Sequence, residues 1–599
     1  MEFETLNQLL AKAVNAYLRD DALLYKKDGA WKKISSESWL TRARHLALGL
    51  HALGIERGDR VALLSENRHE WFLVDAALQI LGAPNVPIYS TLMSTQVAYN
   101  LKDSESKAIV VSDSAQQKKL AEIRGGLNAL RHVITLDPAD AIEATPLEAL
   151  EERGRKEAEK DPAAAERLAS AVTPDDLASI VYTSGTTGDP KGVMLTNRNF
   201  VSNVKASLQV LPLGPSDRAL SALPYSHVFE RMVAHYLYPA AGVSVALAAS
   251  IDTVIEDIAH IRPTVMTMVP RFYEKMYARV TEAAAAGSPR KRRIFEWAIE
   301  TGREHGGYRL RRERAPFGLD LRYKLATALV FKKLHQRLGG ELRFFVSGSA
   351  PLSKEIADFF WAAGITILEG YGLTETSPVI SVNRPERIRF GTVGPPIPGV
   401  EVEIAGDGEI LARGENVMKG YWKKEAETRE AIDSRGFFHT GDIGLLDRDG
   451  FLTITDRKKD IIVTAGGKNI APQAIEGKLK TNAYITEVVV VGNRRSFAAA
   501  LVVPNFEKLA AWCRESSVPA ASREEMAAHP RVVAWIMEQV ETVNREFPQY
   551  ERVKKIALLS DEFTIERGEL TPTLKARRSF IESRYKHLID ELYREQKPA

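Results

Sequence analysis

The side chains with the most capacity for chemistry crowd into residues 182–192, Tyr-Thr-Ser-Gly-Thr-Thr-Gly-Asp-Pro-Lys-Gly. Glycines at Gly185, Gly188 and Gly192 let backbone N–H groups turn toward one point. The hydroxyls of Thr183, Ser184, Thr186 and Thr187 add donors, and Lys191 adds a charge. Such a stretch is a cradle for phosphate oxygens. It is not the GxxxxGK[ST] loop, because Pro190 precedes Lys191 and Gly192 follows it. Taken alone, a Gly/Thr-rich loop is more often just a turn.

Further candidates follow along the chain. His227 lies in 224–231, and a histidine by itself is more often structural than chemical. Gly348, Ser349, Ala350 and Pro351 form a small-residue turn after the apolar run that begins at Leu342. Glu369, Gly370, Tyr371, Gly372, Leu373, Thr374 and Glu375 open from another apolar run, 365–368. Asp442 stands in a Thr-Gly-Asp triplet, whose bland reading is a β-turn. Arg457 and Lys459 sit in a charged break at 455–460, where we expect a domain boundary. Gly466, Gly467, Lys468 and Asn469 follow, and Lys575 closes a Thr-Pro-Thr-Leu-Lys run just ahead of more bases.

These residues need a scaffold, and the pattern supplies one. Leu177 to Val181 reads as a buried strand before the first stretch, and Thr196 as the cap of a helix reaching about Leu211. Upstream, helix-like stretches (39–53, 70–81) alternate with strand-like ones (60–65, from Pro87, and 108–112). That alternation argues for a layered α/β domain with mainly parallel sheet, and ligands in such sheets gather beyond the carboxyl ends of strands. Residues 151–170 read as a solvated helical connection. Short strands, prolines and glycines from 394 to 454 suggest a β-rich subdomain, and 457–599 a smaller α+β domain after 1–456. The stretch 288–337, within a helical insertion spanning about 281–340, carries roughly nine more bases than acids. Phe295, Trp297, Tyr308, Phe317, Tyr323 and Phe331 are interleaved with them. It reads as a solvated helical hairpin, or as a surface that meets anionic lipid headgroups.

Composition narrows the classes. In 599 residues, 45% hydrophobic and 27% charged, the net charge is only +3, which gives no reason to expect nucleic acid. The one cysteine excludes an intrachain disulfide or a cysteine-based metal site and fits a reducing compartment. The acidic N-terminus differs from a secretory signal, and no run of about 18 apolar residues appears. We therefore expect a cytoplasmic protein, with any membrane contact peripheral on the inner face. Monomer and homodimer are both open.

Taken in order, 182–192, 224–231, 348–351, 370–376, 440–442, Asp456 with Arg457, 466–469 and 571–575 resemble the adenylate-forming superfamily. Within it the chain is most similar to long-chain fatty acyl-CoA synthetases. The resemblance implies a large N-terminal α/β domain plus a small mobile C-terminal domain. It implies ATP, Mg²⁺ and coenzyme A, with a fatty acid made into acyl-AMP and then a thioester. The alternatives it leaves are another carboxylate or a carrier-protein thiol. By resemblance Ser184, Gly185, Thr186, Thr187, Gly188 and Lys191 hold phosphates, while Thr183 and Glu375 place Mg²⁺. Tyr371 stacks on adenine against 348–351, Asp442 and Arg457 take the ribose, and His227 lies near the reacting carbonyl. Lys575 bridges α-phosphate and carboxylate, Lys459 is the hinge, and 466–469 meet coenzyme A. One soluble long-chain relative has a gating tryptophan where this chain has Arg231, so the gate is in doubt. The acyl tunnel is expected behind 228–238 and the strand around Val243.

Overall fold

The computed structural model describes residues 2–137, 144–183, 189–248, 253–565, 567–571 and 575–594. Its strands begin in the apolar runs that the sequence marks. Val61–Leu64, Asn85–Ile88 and Ala108–Val111 are buried throughout, so both faces of their sheet need covering by helices. They belong to an eight-stranded sheet ordered Gly420–Tyr421, Lys191–Thr196, Leu177–Thr183, Asn85–Ile88, Val61–Leu64, Ala108–Val111, His132–Thr135, Thr145–Pro146. A second eight-stranded sheet has a parallel interior, Ile367–Gly372, Phe344–Ser347, Val265–Met268, Arg218–Ser221, Ser244–Leu247 and Leu23–Lys27. Antiparallel strands Val379–Val382 and Ala30–Ile34 close its two edges.

Leu177–Thr183 pairs antiparallel with Lys191–Thr196, with Thr183 opposite Lys191. The described ends of the Gly/Thr stretch, Thr183 and Lys191, thus face each other on paired strands. Thr196 then caps Asn197–Val210 as expected. Its hydroxyl accepts from the Asn199 N–H at 3.2 Å, and the Asn199 side chain accepts from the Thr196 N–H at 2.8 Å.

The β-rich expectation holds: Glu401–Ile404, Glu409–Arg413, Phe438–Leu446 and Leu452–Arg457 form a four-stranded antiparallel sheet. The charged break starts later than its residues suggest. Thr455, Asp456 and Arg457 remain in a strand because Arg457 pairs across with Asp442. A separate C-terminal domain follows, with a three-stranded sheet (Ile485–Val491, Ala498–Pro504, Val553–Leu558) and an apolar core of its own. Among the described residues no helix is long and apolar enough to cross a membrane.

Two readings need correction. Residues 151–170 are helical and largely exposed, as expected, but one face of the first helix is packed and not solvated. The helix Leu147–Lys160 buries Leu147, Leu150 and Gly154 against Ser36–Ala52. A Cβ on Gly154 would lie 1.6 Å from the His45 carbonyl oxygen, and one on Gly49 would lie 2.0 Å from that of Leu150. The two backbones meet where neither helix carries a side chain, and charge composition does not reveal such a contact. The second correction concerns the aromatics of 288–337. Phe331 is fully buried, Tyr323 stacks on His305 at 4.0 Å, and Phe295 packs toward Phe359. Of the six, only Phe317 is exposed.

Gly154→Ala must push two backbones apart, so we expect a loss of about 1–3 kcal/mol or more in urea unfolding. Gly477→Ala, inside the helix Pro472–Leu479 where a Cβ meets nothing within 4 Å, should cost no stability and raise it by up to about 1 kcal/mol.

Candidate active site

The carboxyl ends of the strands open into one cavity of about 1750 Å³. The C-terminal domain helps to enclose it. Lys478 of that domain pairs with Glu355 at 2.9 Å, Arg271 with Glu487 at 3.4 Å, and Lys508 with Glu282 at 2.5 Å. In this docked arrangement Lys575 reaches the lining.

Every described residue expected at the nucleotide site lines this cavity: Thr183, Lys191, His227, 348–351, 369–375, Asp442, Arg457, Lys459 and Lys575. Ser184, Gly185, Thr186, Thr187 and Gly188 lie outside the described residues. Gly466, Gly467, Lys468 and Asn469 are elsewhere. Gly466, Gly467 and Lys468 lie in the exposed turn between Ile462–Val463 and Asn469–Ile470, Asn469 begins the second strand, and none of the four lines the cavity.

Each functional side chain is held by its element. Tyr371, at the end of Ile367–Gly372, donates its hydroxyl to Asp442 at 2.6 Å. Arg457 faces Asp442 across the neighbouring strand, with Nε 3.3 Å from Oδ1. Burial raises the Asp442 carboxyl above its ordinary value, although Arg457 and the Tyr371 hydrogen bond oppose the shift. Glu375 is likewise raised by burial, against a hydrogen bond that Tyr421 donates at 3.0 Å. Glu369 is pushed up to about 8 by burial, with the Leu352 and Gly391 backbone opposing. His227 is pushed down to about 3 by burial and by nearby Lys575, so at neutral pH it is an uncharged imidazole. Burial drives Lys575 down to about 8, Arg457 adds to the effect, and Asp442 and Glu375 hold it up. Lys459 is lowered by the same two causes, burial and Arg457.

The cavity as a whole is lined by both signs of charge, but Lys191, Arg457, Lys459 and Lys575 face the same space as Glu375 and Asp442 and could meet an anion there. Taken out of water, such charges interact far more strongly with a bound anion than they would at a surface.

The motifs missed Tyr421. It stands in the edge strand Gly420–Tyr421, anchors Glu375, and carries Lys191 Nζ 4.8 Å above its ring. Gly420-Tyr421-Trp422 offers no chemical pattern, and a strand of two residues leaves no periodicity to read.

The remaining wall is apolar. Met232, Val233, Leu237 and Tyr238 come from the segment after His227, Leu211 and Leu213 from the end of Asn197–Val210, and Val346 from the sheet. Val243 and the strand Ser244–Leu247 that follows it are buried but not part of the lining. Phe229 presses on Gly348, where a Cβ would come within 3.2 Å of the ring. Arg231 is no gate. It is fully buried outside the cavity lining, with Nη2 2.5 Å from Asp75 and Nη1 donating to Ser179 at 2.6 Å. The π-helical turn Arg231–Leu237 directs it to that ion pair while Met232, Val233 and Leu237 line the cavity.

Comparison with known proteins places this geometry. The family model described as AMP-binding enzyme matches residues 10–422, and the AMP-binding enzyme C-terminal domain matches 459–597. The chain belongs to the AMP-binding enzyme family. It is similar to the long-chain-fatty-acid–CoA ligase FadD15 of Mycobacterium bovis, 38% identical over 98% of this chain and 97% of that protein. It is also similar to the peroxisomal long chain acyl-CoA synthetase 7 of Arabidopsis thaliana, 31% identical over 99% of this chain and 87% of that protein. The fold matches that of the adenylation domain of a carboxylate reductase from Mycobacterium chelonae (TM-score 0.76, 22% identity, 98% and 91% of the two chains). It also matches a Mycobacterium tuberculosis fatty acyl CoA synthetase (TM-score 0.62, 23% identity, 98% and 99%).

Lys478→Glu would set a carboxylate against Glu355 and Glu546. Limited proteolysis should then cut 458–461 several-fold faster, and Glu355→Lys in the same chain should recover part of the protection. Unchanged cleavage would show that these ion pairs do not hold the two domains together.

Proposed function

We propose that this chain is a long-chain fatty acyl-CoA synthetase. A fatty acid carboxylate attacks the α-phosphorus of ATP, pyrophosphate leaves, and the acyl-AMP passes its acyl group to the coenzyme A thiol with loss of AMP. The observation that carries the reading is Lys575. A residue of the C-terminal domain stands in the lining of the same cavity as Tyr371, Glu375 and Asp442, and a mere nucleotide carrier would have no use for it.

A carboxylate is repelled by a triphosphate, so the chemistry depends on fixed positive charge. In this reading Lys191 and the Gly/Thr stretch hold the β- and γ-phosphates. Tyr371 and the wall 348–351 enclose adenine, with Glu369, Gly370, Gly372, Leu373 and Thr374 shaping the strand end. Asp442 accepts from the ribose hydroxyls, and Arg457 bridges ribose and phosphate. Lys575 neutralises charge between α-phosphate and carboxylate, while His227, uncharged, positions the carbonyl. The apolar wall past Phe229 takes the acyl chain.

Thr183 and Glu375 fit Mg²⁺: a hydroxyl and a carboxylate suit a hard ion that keeps water and phosphate oxygens as its other ligands. Among the described residues no group of three His, Cys, Asp or Glu offers an all-protein cage, which fits an ion arriving with the nucleotide. Bound there, Mg²⁺ would supply charge neutralisation at the phosphates. We further propose that the domains divide at 456/457 and that the chain turns about Lys459. The turn would bring Gly466, Gly467, Lys468 and Asn469, now remote from the cavity, to coenzyme A for the second half-reaction. The protein would be cytoplasmic, in peripheral contact with an anionic membrane through 288–337.

Lys575→Ala should largely abolish acyl-AMP formation, read as pyrophosphate release, yet spare thioester formation from supplied acyl-AMP. Equal loss of both steps would defeat that division of labour. The alkaline limb offers a second check. Lys575 is charged below about 8 in the free protein, so kcat/KM for adenylation should fall as pH rises through that value. Lys575→Arg should remove the fall within that range.

A further inference from the structure

The helix Phe317–Ala326 continues through the π-helical turn Thr327–Phe331 into Lys332–Arg337. Its inner face is satisfied, since Leu319, Ala326, Phe331 and Leu334 are buried. Its outer face is unusual. Phe317, Leu321, Leu325 and Leu329, each four residues beyond the last, are 84%, 60%, 52% and 50% exposed. Spacing of four sets large apolar groups in one row along the helix, where a surface helix normally carries polar side chains. Single exposed leucines are ordinary, but a contiguous row of them marks an interaction surface.

Bases border the row. Arg314, Arg322, Lys324, Lys332, Lys333 and Arg337 are all exposed. Nearby carboxylates are already engaged: Glu304 holds Arg322, Asp320 faces His305, and Glu313 holds Arg311. Among the described residues no carboxylate forms an ion pair with Lys324, Lys332 or Lys333.

We propose that this outer face, Phe317 to Leu329 with its basic margins, is a membrane-docking surface that inserts its apolar row among anionic lipid headgroups. An apolar centre with Lys and Arg at the margins suits a bilayer interface, where the stems lie along the acyl boundary and the charges reach phosphate. A second copy of the chain suits it less. The margins carry six exposed bases, and the nearby carboxylates Glu304, Asp320 and Glu313 already face partners of their own, so a second copy would bring more positive charge than it could pair. The assignment rests on the peripheral reading of 288–337 and names the side chains that make the contact. Apart from Phe317 these are leucines of one helical face, not the aromatics that composition suggests. For an enzyme whose substrate carries a long apolar chain, the surface would hold the cavity near the phase in which that substrate dissolves.

The test uses the full-length protein sedimented with phosphatidylcholine vesicles, with and without phosphatidylglycerol, at low and high salt. The wild type should bind the anionic vesicles and be released by salt. Leu321→Ser with Leu325→Ser should weaken binding by about tenfold or more. Lys332→Gln with Lys333→Gln should weaken it by about fivefold or more. Neither pair should alter turnover of detergent-dispersed substrate. Phe317→Trp gives a readout that does not depend on the leucine variants folding, because its emission should shift to the blue when anionic vesicles are added. Failure of the wild type to bind at low salt would overturn both this surface and the peripheral reading, leaving the ligase reading intact. Undiminished binding by the leucine variant, or an unshifted tryptophan, would overturn the surface alone. Loss of a dimer with vesicle binding unchanged would make the face a contact between copies.

Discussion

The cavity depends on an electrostatic imbalance that neither domain creates alone. Asp442 and Glu375 are carboxylates held where burial disfavours their charge, and Lys575 is an ammonium held where burial and Arg457 disfavour its own. Asp442 and Glu375 both favour the charged form of Lys575, and Lys575 in turn favours the charged form of Asp442. The docked C-terminal domain brings Lys575 into contact with that field, and the field in turn helps to retain the domain. A polyanionic ligand would draw on Lys191 and Arg457 together with Lys575 of the C-terminal domain, which is why nucleotide binding and domain position are expected to be coupled.

Rigid parts surround that charged centre. Strand pairing sets Asp442 opposite Arg457, and the Tyr371 hydroxyl fixes the far carboxylate oxygen. Tyr421 restrains Glu375 and Lys191 together. These contacts settle the orientation of the polar half before any ligand arrives, so little reorganisation remains for the reaction. The apolar half is built differently. A π-helical turn gives Arg231 to a buried ion pair and Met232, Val233 and Leu237 to the cavity wall. Deep burial of the Arg231–Asp75 pair makes it costly to break, which anchors that turn.

The C-terminal domain has its own core and meets the rest through ion pairs such as Lys478–Glu355. Exposed or half-exposed pairs of this kind contribute little each. A domain held that loosely can leave, and the proposed second half-reaction requires it to do so.

Much of this was legible in the residues. Apolar runs between turn signals located most strands, and Thr196 located a helix start, because these depend on neighbours a few positions apart. The resemblance of the ordered motifs to a known superfamily picked out residues that the structure then places along one cavity, although many polar residues of its lining lie outside those motifs. The tertiary structure decided what depends on distant neighbours. Gly49 against Leu150 turned an apparently solvated helix into a packed one, and Asp75 made Arg231 a buried anchor in place of a gate. Tyr421 joined the site from a two-residue strand, and the packing of 288–337 hid most of its aromatics while leaving a row of leucines outside. A side chain's type limits what it can do, but the backbone that arrives opposite it, from far along the chain, determines whether it meets water, a charge or another helix.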